Sequence, residues 1–148
     1  MSAIWKQPIS VEWLTEIHVN TAVAHLGIEF LEVGDDFLRA RAPVDSRTRQ
    51  PLGILHGGIS VLLAETLGSC GAARASPPGT RALGLDINAN HLRAVTEGWV
   101  TGTARPVHIG RTTNVWQIEL TDDKLRLTCV SRITMAILAP DVGSPGGG

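Results

Sequence analysis

The chain is poor in cysteine, in net charge and in long apolar runs, and each shortage excludes a class of protein. Two cysteines, Cys70 and Cys129, cannot form a disulfide framework for 148 residues and are interpreted as small buried thiols. A formal net charge of -1 gives no electrostatic reason to expect nucleic acid or a membrane surface as the main partner. No stretch approaches the roughly 20 apolar residues of a membrane span, and residues 1–6 lack a signal-peptide pattern. We therefore expect a cytoplasmic protein without a membrane segment.

Common catalytic motifs are missing as well. The sequence has neither the Gly-x-Ser-x-Gly turn of α/β hydrolases nor a Gly-x-Gly-x-x-Gly or P-loop motif for phosphate binding. The histidines do not have the spacing of zinc ligands; they are His18, His25, His56, His91 and His108. The sequence therefore predicts neither a metal site nor a bound cofactor.

The amino-acid composition is typical of one globular domain followed by a short tail. Hydrophobic residues make up 43% of the chain and charged residues 18%, a balance typical of folded domains. We predict a single domain over residues 1–139 and a disordered Gly/Pro-rich tail over residues 140–148.

The hydrophobic pattern predicts an α+β fold. Helical periodicity covers residues 10–24, with Ser10 as N-cap, and residues 56–74. Alternating patterns predict strands at residues 28–33, 37–44, 81–90, 99–107, 112–120 and 125–138. Short links between successive strands favour a curled antiparallel sheet packed on the long helix. Because that helix is apolar nearly all round, a second copy of the chain is expected to cover what the sheet does not.

Glu65 is the charged residue that interrupts the apolar segment between His56 and Arg74. Burying an unpaired carboxylate is costly, so packing alone does not favour glutamate at such a position. We therefore take Glu65 as the main candidate for a catalytic residue.

Three further residues of the same helix extend the candidate site. Gly57 and Gly58 begin the helix, where free N–H groups bind an anion or an oxyanion, although a tight packing turn is the alternative. Ser69, one turn after Glu65, either orients the carboxylate and a water molecule or bonds back to a helix carbonyl. The residue types alone leave both alternatives open.

The spacing of Gly57 and Glu65 predicts a site shared between two subunits. Eight residues of helix span about 12 Å. An attacking group and an oxyanion donor must both lie within about 3 Å of one reacting carbonyl. One straight helix cannot satisfy both conditions, whereas two antiparallel copies can, with Gly57 of one copy facing Glu65 of the other. A homodimer with two equivalent sites is therefore predicted.

Two polar clusters lie at the ends of predicted strands. One cluster, residues 88–93, contains His91 and Arg93, and the other, residues 106–112, contains a second histidine and a second arginine. Arginine is well suited to phosphate recognition, so both clusters are candidates for binding a phosphorylated ligand. Ordinary solvated charge is the alternative.

Three stretches together resemble the hotdog-fold acyl-CoA thioesterases: residues 43–58, 85–93 and 115–119. The similarity runs from residue 4 to residue 139. It is closest to the branch with the 1,4-dihydroxy-2-naphthoyl-CoA thioesterases of menaquinone biosynthesis and the enterobactin proofreading thioesterases. The resemblance implies a hotdog fold, thioester hydrolysis without a cofactor, and dimers that pair into a homotetramer.

The resemblance also implies a role for each candidate residue. Glu65 matches the nucleophile or general base, Gly57 the glycine whose N–H polarises the thioester carbonyl, and Ser69 the hydroxyl that places the hydrolytic water. Gln50 and His56 match the polar residues that line this carbonyl. The region that holds CoA comprises Gly84, His91, Leu92, Arg93, His108, Ile109, Gly110, Arg111 and Thr112.

The resemblance favours an aromatic acyl group of the 1,4-dihydroxy-2-naphthoyl or hydroxybenzoyl type. The composition does not, because the chain has no tyrosine and its two phenylalanines are Phe30 and Phe37. Three alternatives remain: a thioesterase that clears misloaded aryl carrier proteins, a non-catalytic acyl-CoA-binding protein, and a hydratase or dehydratase of the same fold. The last normally needs a histidine–carboxylate pair, whereas the helix interior offers Glu65 alone.

Overall fold

The computed structural model describes residues 2–140, which form three helices and six strands. The elements are α1 (Val11–Ile17), α2 (Ala22–His25), β1 (Glu29–Val33), β2 (Leu38–Pro43), α3 (Gly57–Ala75), β3 (Arg81–His91), β4 (Trp99–Ile109), β5 (Thr113–Thr121) and β6 (Leu127–Leu138). Most of the tail that was predicted to be disordered, residues 141–148, lies outside the described residues. The division into one domain and a tail stays a prediction.

The described strands form one antiparallel sheet in the order β1-β2-β4-β5-β6-β3. The sheet curls around α3, which contacts strands β2 to β6. This is the hotdog architecture, and it confirms the α+β fold predicted from the sequence. Among the described strands, β1 and β3 stand at the two ends of the sheet, so each has a free edge. No helix within residues 2–140 is long and apolar enough to cross a membrane.

The helix predicted over residues 10–24 is two short helices, so this part of the prediction is wrong. Ser10 is the N-cap of α1, as predicted, and its hydroxyl accepts a hydrogen bond from a backbone N–H of the first turn at 3.0 Å. The helical conformation is interrupted between α1 and α2. There Asn20 adopts φ 60°, and the Thr21 hydroxyl donates to the His18 carbonyl at 2.7 Å. Asparagine tolerates this left-handed conformation better than most residues, which explains the break.

The last strand begins later than the pattern predicts. Leu125 was placed on the buried face of a strand over residues 125–138, but it is 83% exposed with φ 62°, and β6 begins two residues later. The Asp122 carboxylate accounts for the difference. It accepts hydrogen bonds from the backbone N–H groups of Lys124 and Arg126 at 3.0 and 2.9 Å, and these bonds close a turn in place of the strand.

Glycines let α3 lie close to the sheet. A Cβ at Gly68 would lie 2.4 Å from Ile133 Cγ2, and one at Gly71 would lie 2.8 Å from the Trp116 ring. Ile133 and Trp116 are both completely buried, so neither has room to move aside. The absence of a Cβ at Gly68 and Gly71 therefore sets the distance between α3 and the sheet.

Gly68→Ala is expected to lower the free energy of unfolding by about 1–3 kcal/mol, although alanine favours a helix more than glycine does. The reason is that the added methyl group must displace Ile133 in a close-packed core. The control is the same substitution in an Ile133→Ala background, which removes the Cγ2 atom that the new Cβ would meet, so Gly68→Ala should cost less there. Chemical denaturation at equal protein concentration measures the wild type, both single variants and the double variant. An equal cost of Gly68→Ala in both backgrounds would contradict the packing role of Gly68.

The N-terminal segment holds the C-terminal end of α3. The Gln7 side-chain amide donates to the carbonyls of Ala73 and Ser76, each at 2.9 Å. Trp5 stacks on Trp116 with 6.2 Å between the ring centroids. These bonds satisfy carbonyl groups that the last turn of a helix leaves free, and they fix this end of α3 to the core.

Both cysteines are free thiols. Cys129 is buried, as predicted, whereas Cys70 is half-buried on α3. Burial raises the pKa of the Cys70 thiol to about 12, so the group stays protonated at neutral pH.

Candidate active site

α3 is buried on one side, and its other side carries the candidate catalytic carboxylate. Leu63 and Leu67 are completely buried against the sheet, whereas Glu65 is exposed. One sheet covers one side of the helix, as expected, and the covering of the other side by a second copy stays a prediction. We call the uncovered side the outer face of α3. Its residues are Gly58, Val61, Leu62, Glu65, Thr66, Ser69 and Cys70.

Glu65 and Ser69 lie one helical turn apart on the outer face, as their spacing predicts. The Ser69 hydroxyl contacts the Met135 sulfur at 3.9 Å. The bond back to a helix carbonyl is made instead by Thr66, whose hydroxyl donates to Leu62 at 2.7 Å. Ser69 thus makes a weak contact with the sheet in place of a bond to its own helix, and its role toward a water molecule stays a prediction.

Gly84 makes room for the Glu65 carboxylate. A Cβ at Gly84 would lie 3.1 Å from Glu65 Oε1 and 3.9 Å from the sulfur of Met135. The pairing of β3 with β6 is irregular between Gly84 and Asp86, as expected where a strand bends at a bulge. The structure thus places Gly84 beside the candidate catalytic carboxylate.

Gln50 lies in a tight loop that directs its side-chain amide. Its side-chain oxygen accepts a hydrogen bond from the Leu52 N–H, and its backbone carbonyl accepts one from the Gly53 N–H at 2.9 Å. Because the side-chain oxygen is engaged, the NH2 group is the part that is left to donate to a ligand. The loop is fixed by Arg49, whose guanidinium donates to the Thr96 carbonyl at 3.0 Å.

The first turn of α3 offers a backbone donor. His56 is the N-cap, and its Nδ1 accepts a hydrogen bond from the Gly58 N–H at 2.8 Å. The next two N–H groups of the chain donate to the His56 carbonyl. In the part of the chain that the structure describes, the Gly57 N–H has no hydrogen-bond partner. Gly57 thus begins the helix with this free N–H, its role as an oxyanion donor stays a prediction, and His56 has a capping role that the sequence did not reveal.

Gln50 and Gly57 open into one cavity with the end of β3. The cavity has a volume of about 360 Å³. Its lining includes Gln50, Gly57, His91, Leu92 and Arg93. Gly57 lies against the His91 ring, since a Cβ at Gly57 would be 3.0 Å from His91 Nε2. Two candidate oxyanion donors and a cationic side chain therefore share this cavity.

The turn between β4 and β5 lines a different cavity, next to the C-terminal end of α3. This cavity has a volume of about 480 Å³. The turn contributes Ile109, Gly110, Arg111 and Thr112 to its lining. The His108 ring lies over the turn, because a Cβ at Gly110 would be 2.6 Å from His108 Nε2. Lys6 adds a positive charge to that of Arg111, so the cavity suits an anionic group.

The two polar clusters lie far apart in one chain, although the resemblance assigns them to one CoA region. His91 pairs with Cys129 near the start of β6, whereas the Thr112 carbonyl accepts a hydrogen bond from the Ile137 N–H near its end. Eight residues of extended strand span about 27 Å. A single chain therefore cannot bring both clusters to the same phosphate group.

A single chain holds two incomplete halves of the candidate site. One half, Gln50 and Gly57, lies at the start of α3. The other half, Glu65 and Ser69, lies on the outer face about 12 Å further along the helix. Among residues 2–140, no three side chains of His, Cys, Asp or Glu are grouped closely enough to hold a metal ion.

Two residues near Glu65 were not among the predicted site residues. His18, the C-cap of α1, has its Nε2 3.9 Å from Cys70 Sγ, and both line the depression that contains Glu65. Cys70 follows Glu65 by five residues, about 140° further around the helix, so the spacing of i+3 and i+4 neighbours does not identify it. His18 reaches the site through the packing of α1 on α3, which no spacing in the sequence indicates.

Comparison with known proteins assigns this geometry to a family. Residues 52–129 match the model of the thioesterase superfamily, and the chain belongs to this family. It is a thioester hydrolase.

Similar proteins match nearly the whole chain. The 1,4-dihydroxy-2-naphthoyl-CoA hydrolase of Escherichia coli strain K12 is 49% identical, over 91% of this chain and 99% of that protein. The proofreading thioesterase EntH of Cronobacter turicensis is 45% identical, over 91% of this chain and 98% of that protein. The crystal structure of thioesterase HI1161 from Haemophilus influenzae superposes with a TM-score of 0.91 at 45% identity, covering 97% of this chain and 99% of that chain. These matches confirm the resemblance found in the sequence.

Proposed function

We propose that the protein hydrolyses acyl-CoA thioesters with an aromatic acyl group, of the 1,4-dihydroxy-2-naphthoyl or hydroxybenzoyl type, to the free acid and CoA. The observation that carries the proposal is an exposed carboxylate on an otherwise uncharged helix face, on the same helix as an unengaged backbone donor. The similarity to a 1,4-dihydroxy-2-naphthoyl-CoA hydrolase supports the choice of acyl group.

In the proposed reaction, the thioester carbonyl oxygen accepts hydrogen bonds from the Gly57 N–H and the Gln50 amide. One such donor contributes roughly 3–4 kcal/mol as the oxyanion forms. Glu65 either takes a proton from a water that attacks the carbonyl carbon, or attacks the carbon itself and forms an anhydride that water then cleaves. Ser69 positions that water. The C–S bond breaks, and the CoA thiolate takes up the released proton.

A second copy of the chain is proposed to complete the site. The outer face of α3 is half-exposed around Glu65, and at the free edge of β3 Leu83 is 51% and Leu85 67% exposed. A strand edge of this kind is a template for pairing with another chain. A two-fold arrangement with the β3 edges paired and the α3 helices antiparallel covers both surfaces. It also brings Gly57 of each copy to Glu65 of the other, and two such dimers form the proposed homotetramer.

The CoA moiety is proposed to bind along the two polar clusters. Arg93 and Arg111 supply positive charge for its phosphates, while His91, Leu92 and the turn of residues 108–112 contact the nucleotide and pantetheine. The two clusters of one chain are about 27 Å apart. We therefore propose that each CoA contacts the first cluster of one subunit and the second cluster of another.

A thioester on an aryl carrier protein is the second candidate substrate. The EntH relative, which is a proofreading thioesterase, favours it. The chemistry at Glu65 is the same for both substrates, and the thiol carrier differs. A non-catalytic acyl-CoA-binding function is less well supported, because binding alone does not need a carboxylate next to the thioester.

The biological setting is proposed from the same resemblance. The enzyme acts in the cytoplasm in menaquinone biosynthesis, as the similarity to the naphthoyl-CoA hydrolase favours. It needs no bound cofactor, because CoA is part of the substrate and water is the second reactant.

A panel of thioesters tests the proposed function. kcat/KM is measured for 1,4-dihydroxy-2-naphthoyl-CoA, 4-hydroxybenzoyl-CoA, a medium-chain acyl-CoA and an aroyl carrier protein. The highest value is expected for an aroyl-CoA. A clear preference for the carrier protein would favour the second candidate. Tight binding of acyl-CoA without release of CoA across the panel would contradict the proposal.

Gly84→Ala is expected to lower kcat about 10-fold to 100-fold with little change in KM or stability. The new Cβ would lie 3.1 Å from Glu65 Oε1 and must displace the carboxylate, whereas the backbone of Gly84 is not in the left-handed region. Glu65→Asp provides the control, since its shorter side chain leaves space and Gly84→Ala should then cost less. Steady-state kinetics of the wild type, the two single variants and the double variant measures this dependence. An unchanged kcat in Gly84→Ala would contradict the steric role.

A further inference from the structure

The depression beside Glu65 contains a hydrogen-bond acceptor that the proposed reaction does not use. His18 lines this depression together with Glu65 and Cys70, and its Nε2 lies 3.9 Å from Cys70 Sγ. The rest of the lining combines the apolar side chains of Val61 and Leu62 with the hydroxyl groups of Thr66 and Ser69. The Thr66 hydroxyl donates to a carbonyl of its own helix, so it does not satisfy the imidazole.

The His18 ring is fixed on two sides. Its Nδ1 lies 2.6 Å from the Leu14 carbonyl oxygen, and its centroid lies 5.0 Å from that of the Phe30 ring. Because a carbonyl oxygen only accepts hydrogen bonds, Nδ1 carries the proton, and Nε2 of the neutral ring is then an acceptor. The fold thus holds this acceptor in one orientation.

The group that faces this acceptor is a poor donor. Cys70 Sγ lies 3.9 Å from His18 Nε2, and burial raises the pKa of the thiol to about 12, so the sulfur carries its proton. A thiol is a weak hydrogen-bond donor. A hydroxyl on a bound ligand would satisfy Nε2 better than Cys70 does.

The acceptor and the reacting end of the site line the same depression. Cys70 is five residues after Glu65, which is about 7.5 Å along the helix axis and about 140° around it. The thioester carbon must lie within about 3 Å of the attacking group at Glu65. An acyl group that begins there and crosses the depression toward Cys70 and His18 must be longer than the axial rise, which a substituted aromatic ring provides.

We propose that His18 is a specificity-determining residue, and that its Nε2 accepts a hydrogen bond from a donor at the far end of the acyl group, such as a ring hydroxyl. The inference rests on the proposed function, because it takes Glu65 as the reacting end. Acyl groups of equal size without a donor leave Nε2 poorly satisfied, so they are hydrolysed less efficiently.

Two single variants separate the roles of the two ring nitrogens. His18→Gln places an amide oxygen near the position of Nε2 and gives up the contact of Nδ1. His18→Asn keeps a donor near Nδ1 for the Leu14 carbonyl and removes the acceptor. A structural role for His18 predicts that the Gln variant is the more impaired, whereas the proposed role predicts that the Asn variant loses selectivity.

The measured quantity is the ratio of kcat/KM for 3- or 4-hydroxybenzoyl-CoA to that for the fluorobenzoyl-CoA with the same ring position. Fluorine has nearly the size of a hydroxyl group and donates no hydrogen bond. The preference that depends on His18 is expected to be about 10-fold. It should persist in His18→Gln and be lost in His18→Asn, where the hydroxybenzoyl substrate loses more kcat/KM than the fluorobenzoyl substrate does. The intrinsic reactivity of each substrate is the same for all variants. The change in this ratio between the wild type and a variant therefore reports the contribution of His18.

Three results would overturn the proposal. They are a wild-type ratio that His18→Asn leaves unchanged, an equal loss of activity with both substrates, and a loss of selectivity in His18→Gln but not in His18→Asn. A wild-type enzyme that cleaves neither thioester would refute the proposed function, and this inference with it. Cleavage of both thioesters with a ratio independent of residue 18 would refute the inference alone.

Discussion

Glu65→Gln is expected to lower kcat about 100-fold to 10,000-fold for every aroyl-CoA substrate. Glutamine has nearly the same shape as glutamate, but it neither takes up a proton nor attacks a thioester. Because Glu65 is exposed in the single chain, the substitution is expected to leave the fold intact. Release of the CoA thiol under saturating substrate measures kcat, and thermal unfolding checks the fold.

The control for this variant is the same substitution at another exposed glutamate. Glu97→Gln lies in the loop between β3 and β4 and should leave kcat unchanged. A Glu65→Gln enzyme that keeps most of its kcat with a good aroyl-CoA would remove Glu65 from the reaction and refute the proposed mechanism.

Mixing two inactive variants is expected to restore about a quarter of the wild-type activity, if each site takes its parts from two subunits. One variant is Glu65→Gln and the other is Gly57→Pro, which removes the proposed oxyanion donor and moves the exposed His91 ring aside by a few tenths of an ångström. Proline is tolerated at the first position of a helix, where the N–H has no helical partner. His56, which precedes it, already has the extended backbone that a following proline requires. After random exchange of subunits, half of the dimers are mixed, and each mixed dimer has one intact site.

Refolding the two variants together, and each variant alone, measures this complementation. The activity of the mixture should exceed the sum of the separately refolded variants many-fold. No gain on mixing, with exchange of subunits confirmed by two different tags, would place both halves of the site in one subunit and contradict the shared site.

The sheet and the long helix could be predicted because their patterns are regular. The alternation of β4, β5 and β6 and the apolar run of α3 persist over many residues, so one irregular position does not hide them. The break at Asn20 and the turn closed by Asp122 depend on single backbone angles and on side-chain bonds to the backbone. Local features of this kind leave little trace in a hydrophobic pattern.

The candidate site also has parts that could be predicted from the sequence and parts that could not. The separation of Gly57 and Glu65 could be derived from sequence, because helical geometry converts eight residues into a length. The position of Gly84 beside Glu65 depends on the register of β3 against β6, and that of His18 on the packing of α1 against α3. Neither register nor packing follows from spacing within one element.

The glycines that face the sheet in α3 also determine which way the carboxylate points. A slip of α3 by one residue would turn Glu65 by about 100° around the helix axis, away from the outer face. Gly68 and Gly71 prevent such a slip, because larger side chains do not fit against Ile133 and Trp116. The buried core thus sets the rotation of α3 at which the candidate reactive group faces outward, although neither Ile133 nor Trp116 is itself a candidate site residue.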